Sequence, residues 1–330
     1  MKLKRFLSLL VVVLLLFCAG CGETPASPTE PSVSTTTPST TFSTQDHTPQ
    51  SVIQPLLYQV TDATGHKAYL FGSIHVGREN FYPLPGYVTD AFNKADKLAV
   101  EFDVLAFQED MVAQTQQLTK LMYRDGTTIK DHIPEALYNN AVAIMTEKGE
   151  YYAVLDYYYP ALWANLIDNY TVPEGALDLG IDVNLIQMAY DCNKPVDDVE
   201  SADLQYSMLA NFSAPLQELL LESSVEGYKN YTAAEVEKML DIWASGDAKR
   251  FREYLSSEDD TLETDQEQAL YEEYKKAMMT DRDNGMTAYV KQALTSGDTV
   301  FVCVGAAHVM GENGIVDQLK AAGYTVEEIH

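Results

Sequence analysis

The apolar positions of this chain change period along its length. Residues 56–62, "LLYQVTD", and 67–74, "KAYLFGSI", are short β-type runs on either side of "ATGH", which predicts a hairpin with His66 at its turn. From near Pro85 the period becomes helical. In "GYVTDAFNKAD" it puts Val88, Ala91, Phe92 and Ala95 on one face. "KLAVEFDV" (97–104) predicts a third strand. Helical spacing follows over 106–124 and 134–149, then an aromatic, core-type helix over 151–170. "IDVNLIQMAYDCN" predicts a short helix and "KPVDDVES" a short extended segment. Residues 202–295 are mostly helical in pattern, with polar breaks near Ser245-Gly246 and over 256–260. The chain returns to strand "DTVFVCVGA", helix "NGIVDQLKAAG" with Gly323 as its C-terminal cap, and strand "YTVEEI". The predicted fold is α/β, with a central mixed β-sheet flanked by helices. Both chain ends contribute strands, and a largely helical insert separates them.

The pattern differs before residue 51. Lys2, Lys4 and Arg5 precede an apolar run from Phe6 to Phe17, which is shorter than the roughly 20 residues that span a bilayer. Residues 1–20 therefore read as a signal peptide. Ala19-Gly20-Cys21 resembles a bacterial lipobox, with Cys18 where leucine is usual. That resemblance implies lipidation of Cys21 and anchorage at the extracytoplasmic face of the cell membrane. An ordinary cleavage near Ala19 and an uncleaved anchor are the alternatives. Residues 21–50 hold that cysteine and a Ser/Thr/Pro-rich tether whose composition predicts disorder, and His47 lies in it. Residues 51–330 form the folded domain.

The formal net charge is −27, from 22 Lys+Arg and 49 Asp+Glu, and loss of the basic leader makes the remainder more acidic still. Such a surface argues against nucleic acid or anionic lipid as a direct partner, leaving the lipid anchor as the membrane contact. Cys192 and Cys303 can pair in an exported protein. Within "VFVCVG", Cys303 reads most simply as a small buried apolar residue.

Six histidines are present, and two share a local pattern. "YLFGSIHVGREN" and "FVCVGAAHVMGEN" both give Gly-x-x-His-Val-x-x-Glu-Asn, with Gly72, His75 and Glu79 in one and Gly305, His308 and Glu312 in the other. Each motif follows an apolar run. In open α/β sheets, ligands sit beyond the carboxyl ends of strands. Glycine permits close backbone approach, and Ser73, Ala306 and Ala307 leave room beside the imidazoles. Glu101 interrupts "LAVEFDV"; a buried carboxylate needs a partner or an ion, whereas strand alternation can equally put it on an exposed face with Asp103. His132, before the helix that opens at Pro134, has a local role. Tyr157, Tyr158, Tyr159 and Trp163 read as packing rather than a ligand groove.

These residues resemble the TraB/GumN group, which includes the Tiki metalloproteases and, more distantly, erythromycin esterase-like and ChaN proteins. The resemblance rests on the two Gly-x-x-His motifs, a strand glutamate after the first helix, "GIDVNLIQMAYDCNKPVDDVESADLQ" and "DRDNGMTAYV". It draws attention to Asp182, Glu200, Gln205 and Arg282. An Arg-Asn pair is usual in the late helix, and here Asp283 separates Arg282 from Asn284. The resemblance implies a divalent-metal-dependent hydrolase, peptidase-like, with His75, Glu101 and His308 as ligands of Mn²⁺, Co²⁺ or Zn²⁺. Glu200, Glu79 or Glu312 would serve as general base and Arg282 would hold a substrate carboxylate or oxyanion. Gly72, Ser73, Gly305 and Gln205 would face the substrate, a peptide or small molecule. A metal-free variant has His75 and Glu101 activating water directly. The zinc-peptidase pattern His-Glu-x-x-His is absent from the sequence. The alternative is a lipoprotein that binds or sequesters a peptide or small ligand without turnover.

Overall fold

The computed structural model describes residues 53–230, 233–256 and 264–330. The signal peptide, Cys21, the tether and the break over 257–263 lie outside the described residues.

Strands β1 (Leu57–Thr61) and β2 (Lys67–Ser73) form the expected hairpin. Helix α1 (Gly86–Lys94) starts after Pro85 and buries Val88, Ala91 and Phe92. Strand β3 is Lys97–Val100. Helices α2 (Val104–Glu109) and α3 (Met111–Leu118) replace the single helical stretch read over 106–124. The break is Asp110, whose carboxylate caps α3 by accepting from the N–H groups of Val112 and Ala113. Helix α4 is Glu135–Glu147.

Residues 151–170 depart from the sequence reading. A 3-10 turn over Ala153–Tyr157 comes first, and only Pro160–Asn169 is α-helical (α5). Pro160 disfavours helical geometry in the residue before it, while suiting the first helical position itself. Trp163 is fully buried, as packing requires, and its Nε1–H donates to the Leu155 carbonyl at 2.9 Å.

Helix α6 (Ile181–Asp191) leads to the short strand β4 (Val196–Asp198). A helical stretch follows: α7 (Ala202–Asn211), α8 (Ala214–Asn230), α9 (Ala233–Ala244), α10 (Ala248–Ser256) and α11 (Asp265–Lys275). Helix α11 continues through a π-helical turn, Lys276–Thr280, into α12 (Asp281–Ser296). The chain closes with β5 (Val300–Gly305), α13 (Ala306–Met310), α14 (Ile315–Ala321) and β6 (Thr325–Ile329). Among the described residues no helix is long and apolar enough to cross a membrane.

The six strands make one mixed sheet in the order β4-β3-β5-β2-β1-β6. The strands β4, β3, β5 and β2 are mutually parallel; β1 runs antiparallel between β2 and β6, so β6 points the same way as the other four. Register pairs Ser73 with Gly305 and Val100 with Cys303, so the carboxyl ends of β2, β5 and β3 lie side by side. One apolar core surrounds the sheet. A second, all-helical core gathers Leu121, Trp163, Tyr206, Leu216, Tyr274 and their neighbours. The helix that runs from α11 into α12 joins the two: Tyr274 and Met278 belong to the second core, Met286 and Val290 to the first. Cys192 is exposed and Cys303 buried, and both are free thiols, so the disulfide does not form.

The second core contains Asp168, which is 9% exposed and lies beside Ser224. Burial raises its carboxyl well above the usual range, more than the Ser224 hydrogen bond offsets. A carboxyl raised in the folded state is kept protonated there while the unfolded chain ionises above about pH 4. Stability is therefore lost as pH rises from that point toward the folded value. Asp168→Asn is expected to raise the thermal midpoint at pH 7, by about 2–4 °C for each kcal/mol regained, and to flatten the decline above pH 4. A lower midpoint in the variant at pH 7 would show that the charge is accommodated.

Candidate active site at the strand ends

Four parallel strands each deliver one polar residue just past their carboxyl end. Glu200 follows β4, Glu101 follows β3, His308 follows β5 and His75 follows β2. Glu101 thus lies beyond its strand, which stops at Val100. That settles the two placements that alternation left open, because a residue outside the ladder need not follow the pleat.

Small residues permit this convergence. A Cβ on Gly72 would lie 3.0 Å from Cα of Ala306, so glycine lets β2 approach the start of α13. A Cβ on Gly305 would lie 3.2 Å from Oε1 of Glu101 and 3.4 Å from Cδ2 of His308. The Gly305 N–H instead donates to Glu101 Oε1 at 2.9 Å. The motif "GAAH" also begins α13 immediately after the strand, where the sequence reading placed no helix.

Each imidazole is held through Nδ1 by its own carboxylate. His75 Nδ1 lies 2.7 Å from Asp182 Oδ2, and His308 Nδ1 lies 2.6 Å from Asp283 Oδ1. Asp182 sits in the first turn of α6, where the helix N-terminus favours negative charge. The Ile181 N–H donates to the carbonyl of Ile74 at 2.9 Å, which fixes that turn against the residue before His75.

The carboxylates of Glu101 and Glu200 share one guanidinium. Arg282 is 5% exposed; its Nη2 donates to Glu101 Oε2 at 2.6 Å and to Glu200 Oε2 at 2.9 Å, and its Nε donates to Glu200 Oε1 at 3.0 Å. Gln205 Nε2 bridges the same two carboxylates at 3.0 and 3.2 Å. Arg282 and Asp283 come directly after the π-helical turn, and both are buried. The extra residue of a π turn shifts the helix face, a feature frequent at functional sites. Asp283 is thus the neighbour of Arg282 that turns inward, where it meets His308, while Asn284 is exposed. The sequence reading noticed Asp283 only as a separator, and its position beside Arg282 was the available signal.

Charge follows from this geometry. Burial works against ionisation of Glu101, but Arg282, the two imidazoles and the Gly305 N–H hold it well below the usual carboxylate range. Burial alone would depress His75; the charge and hydrogen bond of Asp182, with Glu101 behind, outweigh it and raise the imidazole to about 9. Burial pushes the Cys303 thiol up, with Asp182 adding to the effect, which makes it a poor nucleophile.

A small cleft opens beside these groups, lined by Ser73, His75, Glu101, Asp182, Gln205 and Cys303 together with apolar side chains. Glu200, Arg282 and His308 are not among its lining residues; they stand behind Glu101. Glu79 and Glu312 are exposed and outside the network. His132 stacks on Tyr123 and bonds Thr127, a local role.

The donor set bears on the divalent ion in two ways. In favour, the four carboxylates outnumber the one guanidinium, and neither imidazole Nε2 has a protein partner among the described residues. A carboxylate on the far nitrogen is the arrangement of metal-bound histidines. Against, Glu101 has both oxygens engaged, and among the described residues no three His, Cys, Asp or Glu side chains are placed to hold one ion. The two histidines fit such a group; Glu101, as it stands, serves Arg282.

The raised His75 value gives a pH test on ion-free protein. The folded value of about 9 exceeds the unfolded value near 6.5. The stabilisation is thus fully present below pH 6.5 and lost as pH rises through 9. His75→Gln is expected to show a shallower fall in thermal midpoint across that window than the wild type. Equal slopes would remove the charge from the His75–Asp182 pair.

Known proteins resemble this chain over most of its length. Proteins described as "Uncharacterized protein YbaP" are 26% identical to this chain: that of Shigella flexneri over 257 residues, covering 77% of this chain and 88% of its own length, and that of Escherichia coli (strain K12) over 256 residues, covering 76% and 87%. No solved structure gives a match. The sequence pattern of the TraB/PrgY/gumN family matches residues 56–328, which includes every strand-end residue described above. The chain belongs to the TraB/PrgY/gumN family.

Proposed function

We propose that this protein is a divalent-metal-dependent hydrolase of the peptidase type. The observation that carries the reading is the set of three adjacent strand ends, which presents two carboxylate-held imidazoles and an ionised glutamate. His75 and His308 would hold the ion through Nε2. When bound, the ion supplies Lewis-acid polarisation of a substrate carbonyl and a lowered pKa for water. Mn²⁺, Co²⁺ and Zn²⁺ all suit imidazole donors.

The side chains of the chain divide the remaining work. Asp182 and Asp283 engage Nδ1 of His75 and His308 as proton acceptors, which would leave each Nε2 available to the ion. Glu101, aimed by the Gly305 N–H and kept ionised by Arg282, is the carboxylate that lines the cleft and takes a proton from water there. Glu200 holds Arg282 in place, while Gln205 ties Glu200 to Glu101 and also lines the cleft, where it would meet the substrate. His75 would hold the ion only as the neutral imidazole, so the ion would compete with the proton that Asp182 helps to keep on the ring. In the same proposal the signal peptide directs export and is cut before Cys21, whose lipid tethers the enzyme to the outer face of the membrane.

One observation favours a second reading, a binding protein without turnover. Glu101 already has both oxygens engaged, which weakens it as a base. A digest of a mixed peptide library by residues 51–330, with Mn²⁺, Co²⁺ or Zn²⁺ and then with chelator, separates the two. Metal-dependent cleavage is expected, with Glu101→Gln reduced by at least about 10²-fold, the scale of a general base. Cleavage by Glu101→Gln at the wild-type rate would remove this residue from the reaction. Absence of cleavage under every metal would favour binding.

A further inference from the structure

We infer that the cleft recognises a free amino end, the α-ammonium of a peptide or a small primary amine, through Asp182. The inference rests on the cleft being the ligand site proposed above, but not on turnover there.

Asp182 is 8% exposed and lines the cleft. Its Oδ2 is used by His75, whereas its Oδ1 is buried and has no hydrogen-bond partner. A buried carboxylate oxygen left unbonded costs free energy that a ligand donor can recover. Ser73, 1% exposed, adds a second acceptor to the same wall; its Oγ is addressed only by the weakly bonding thiol of Cys303. Two buried acceptors thus belong to residues of the cleft wall, and the Cys303 thiol is the sole lining group that addresses either of them.

Charge selects a cationic donor. The charged groups lining the cleft are Glu101, Asp182 and His75. Two carboxylates share this lining with a single imidazole, so the wall is acidic whichever protonation state His75 takes. An ammonium has three donors and no acceptor, which suits Asp182 Oδ1 and Ser73 Oγ together.

Size selects a chain end. The cleft has about 30 Å³ of space for water-sized groups, against about 10–15 Å³ for one water. That space takes an amino head and the atom that bears it. The site therefore reads the terminus of its ligand, which applies equally to cleavage near an amino end and to capture of one.

The test uses two pools of tetrapeptide amides, one with free amino ends and one N-acetylated, titrated calorimetrically into residues 51–330 at pH 7 without added metal. The amide removes the competing carboxylate from both pools. The free pool is expected to bind at least about tenfold tighter, and Asp182→Asn to remove that preference, since hydrogen bonds to charged groups account for roughly 10–100-fold. Ser73→Ala should weaken the free pool by about 5-fold and keeps the test open if Asp182→Asn does not fold. His75→Gln should retain the preference, which separates recognition by Asp182 from any loss of imidazole orientation. Equal binding of the two pools, silence of both, an unchanged preference in Asp182→Asn or its loss in His75→Gln would overturn the inference. A protein that prefers free amino ends yet cleaves nothing supports this inference while defeating the hydrolase reading.

Discussion

A guanidinium buried to 5% exposure must be surrounded by charge, and Arg282 dictates where that charge sits. It binds Glu101 at the end of β3 and Glu200 just beyond β4, with Gln205 of α7 closing the ring. Arg282 itself enters from the start of α12, on the helix that passes from the all-helical core to the sheet core. One interaction therefore ties the sheet, the second core and the chemistry together. Without it, Glu101 would be a buried carboxylate facing two imidazoles and its ionisation would follow their protonation. With it, Glu101 stays charged and stationary.

The sheet supplies the rest of the geometry. Parallel strands bring their carboxyl ends to one edge, and the register Ser73↔Gly305 and Val100↔Cys303 sets the three central ends level. Gly72 and Gly305 then remove the side-chain bulk that would hold β2, α13 and Glu101 apart. Each imidazole acquires a carboxylate from a distant helix, Asp182 from α6 and Asp283 from α12. The two halves of the site thus repeat a local design, glycine, small residue and carboxylate-held histidine, on neighbouring strands.

Much of this was legible because it is local. The Gly-x-x-His echo, the hairpin, α1 and the late β5–α14–β6 segment carry their periodicity in a few consecutive residues. The placement of Glu101 was not, since nothing in "LAVEFDV" says that the ladder ends at Val100. The break at Asp110 and the late start of α5 at Pro160 were present as a capping residue and a proline, but the apolar spacing on both sides masked them. The role of Asp283 and the π turn before it were not legible for a different reason. Their meaning depends on His308, 25 positions away, and on the face that the helix presents after the extra residue.

A double-mutant cycle between Glu101 and Arg282, read as unfolding free energy in denaturant, tests most directly whether the network is one unit. Glu101→Gln leaves the buried Arg282 with Glu200 alone, and Arg282→Met leaves Glu101 and Glu200 without their shared cation. Breaking a buried pair this way costs about 3–5 kcal/mol. If the account holds, the double variant is destabilised by much less than the two single losses combined, with a coupling above about 1.5 kcal/mol. Losses that add to within about 0.5 kcal/mol, as for independent sites, would contradict it.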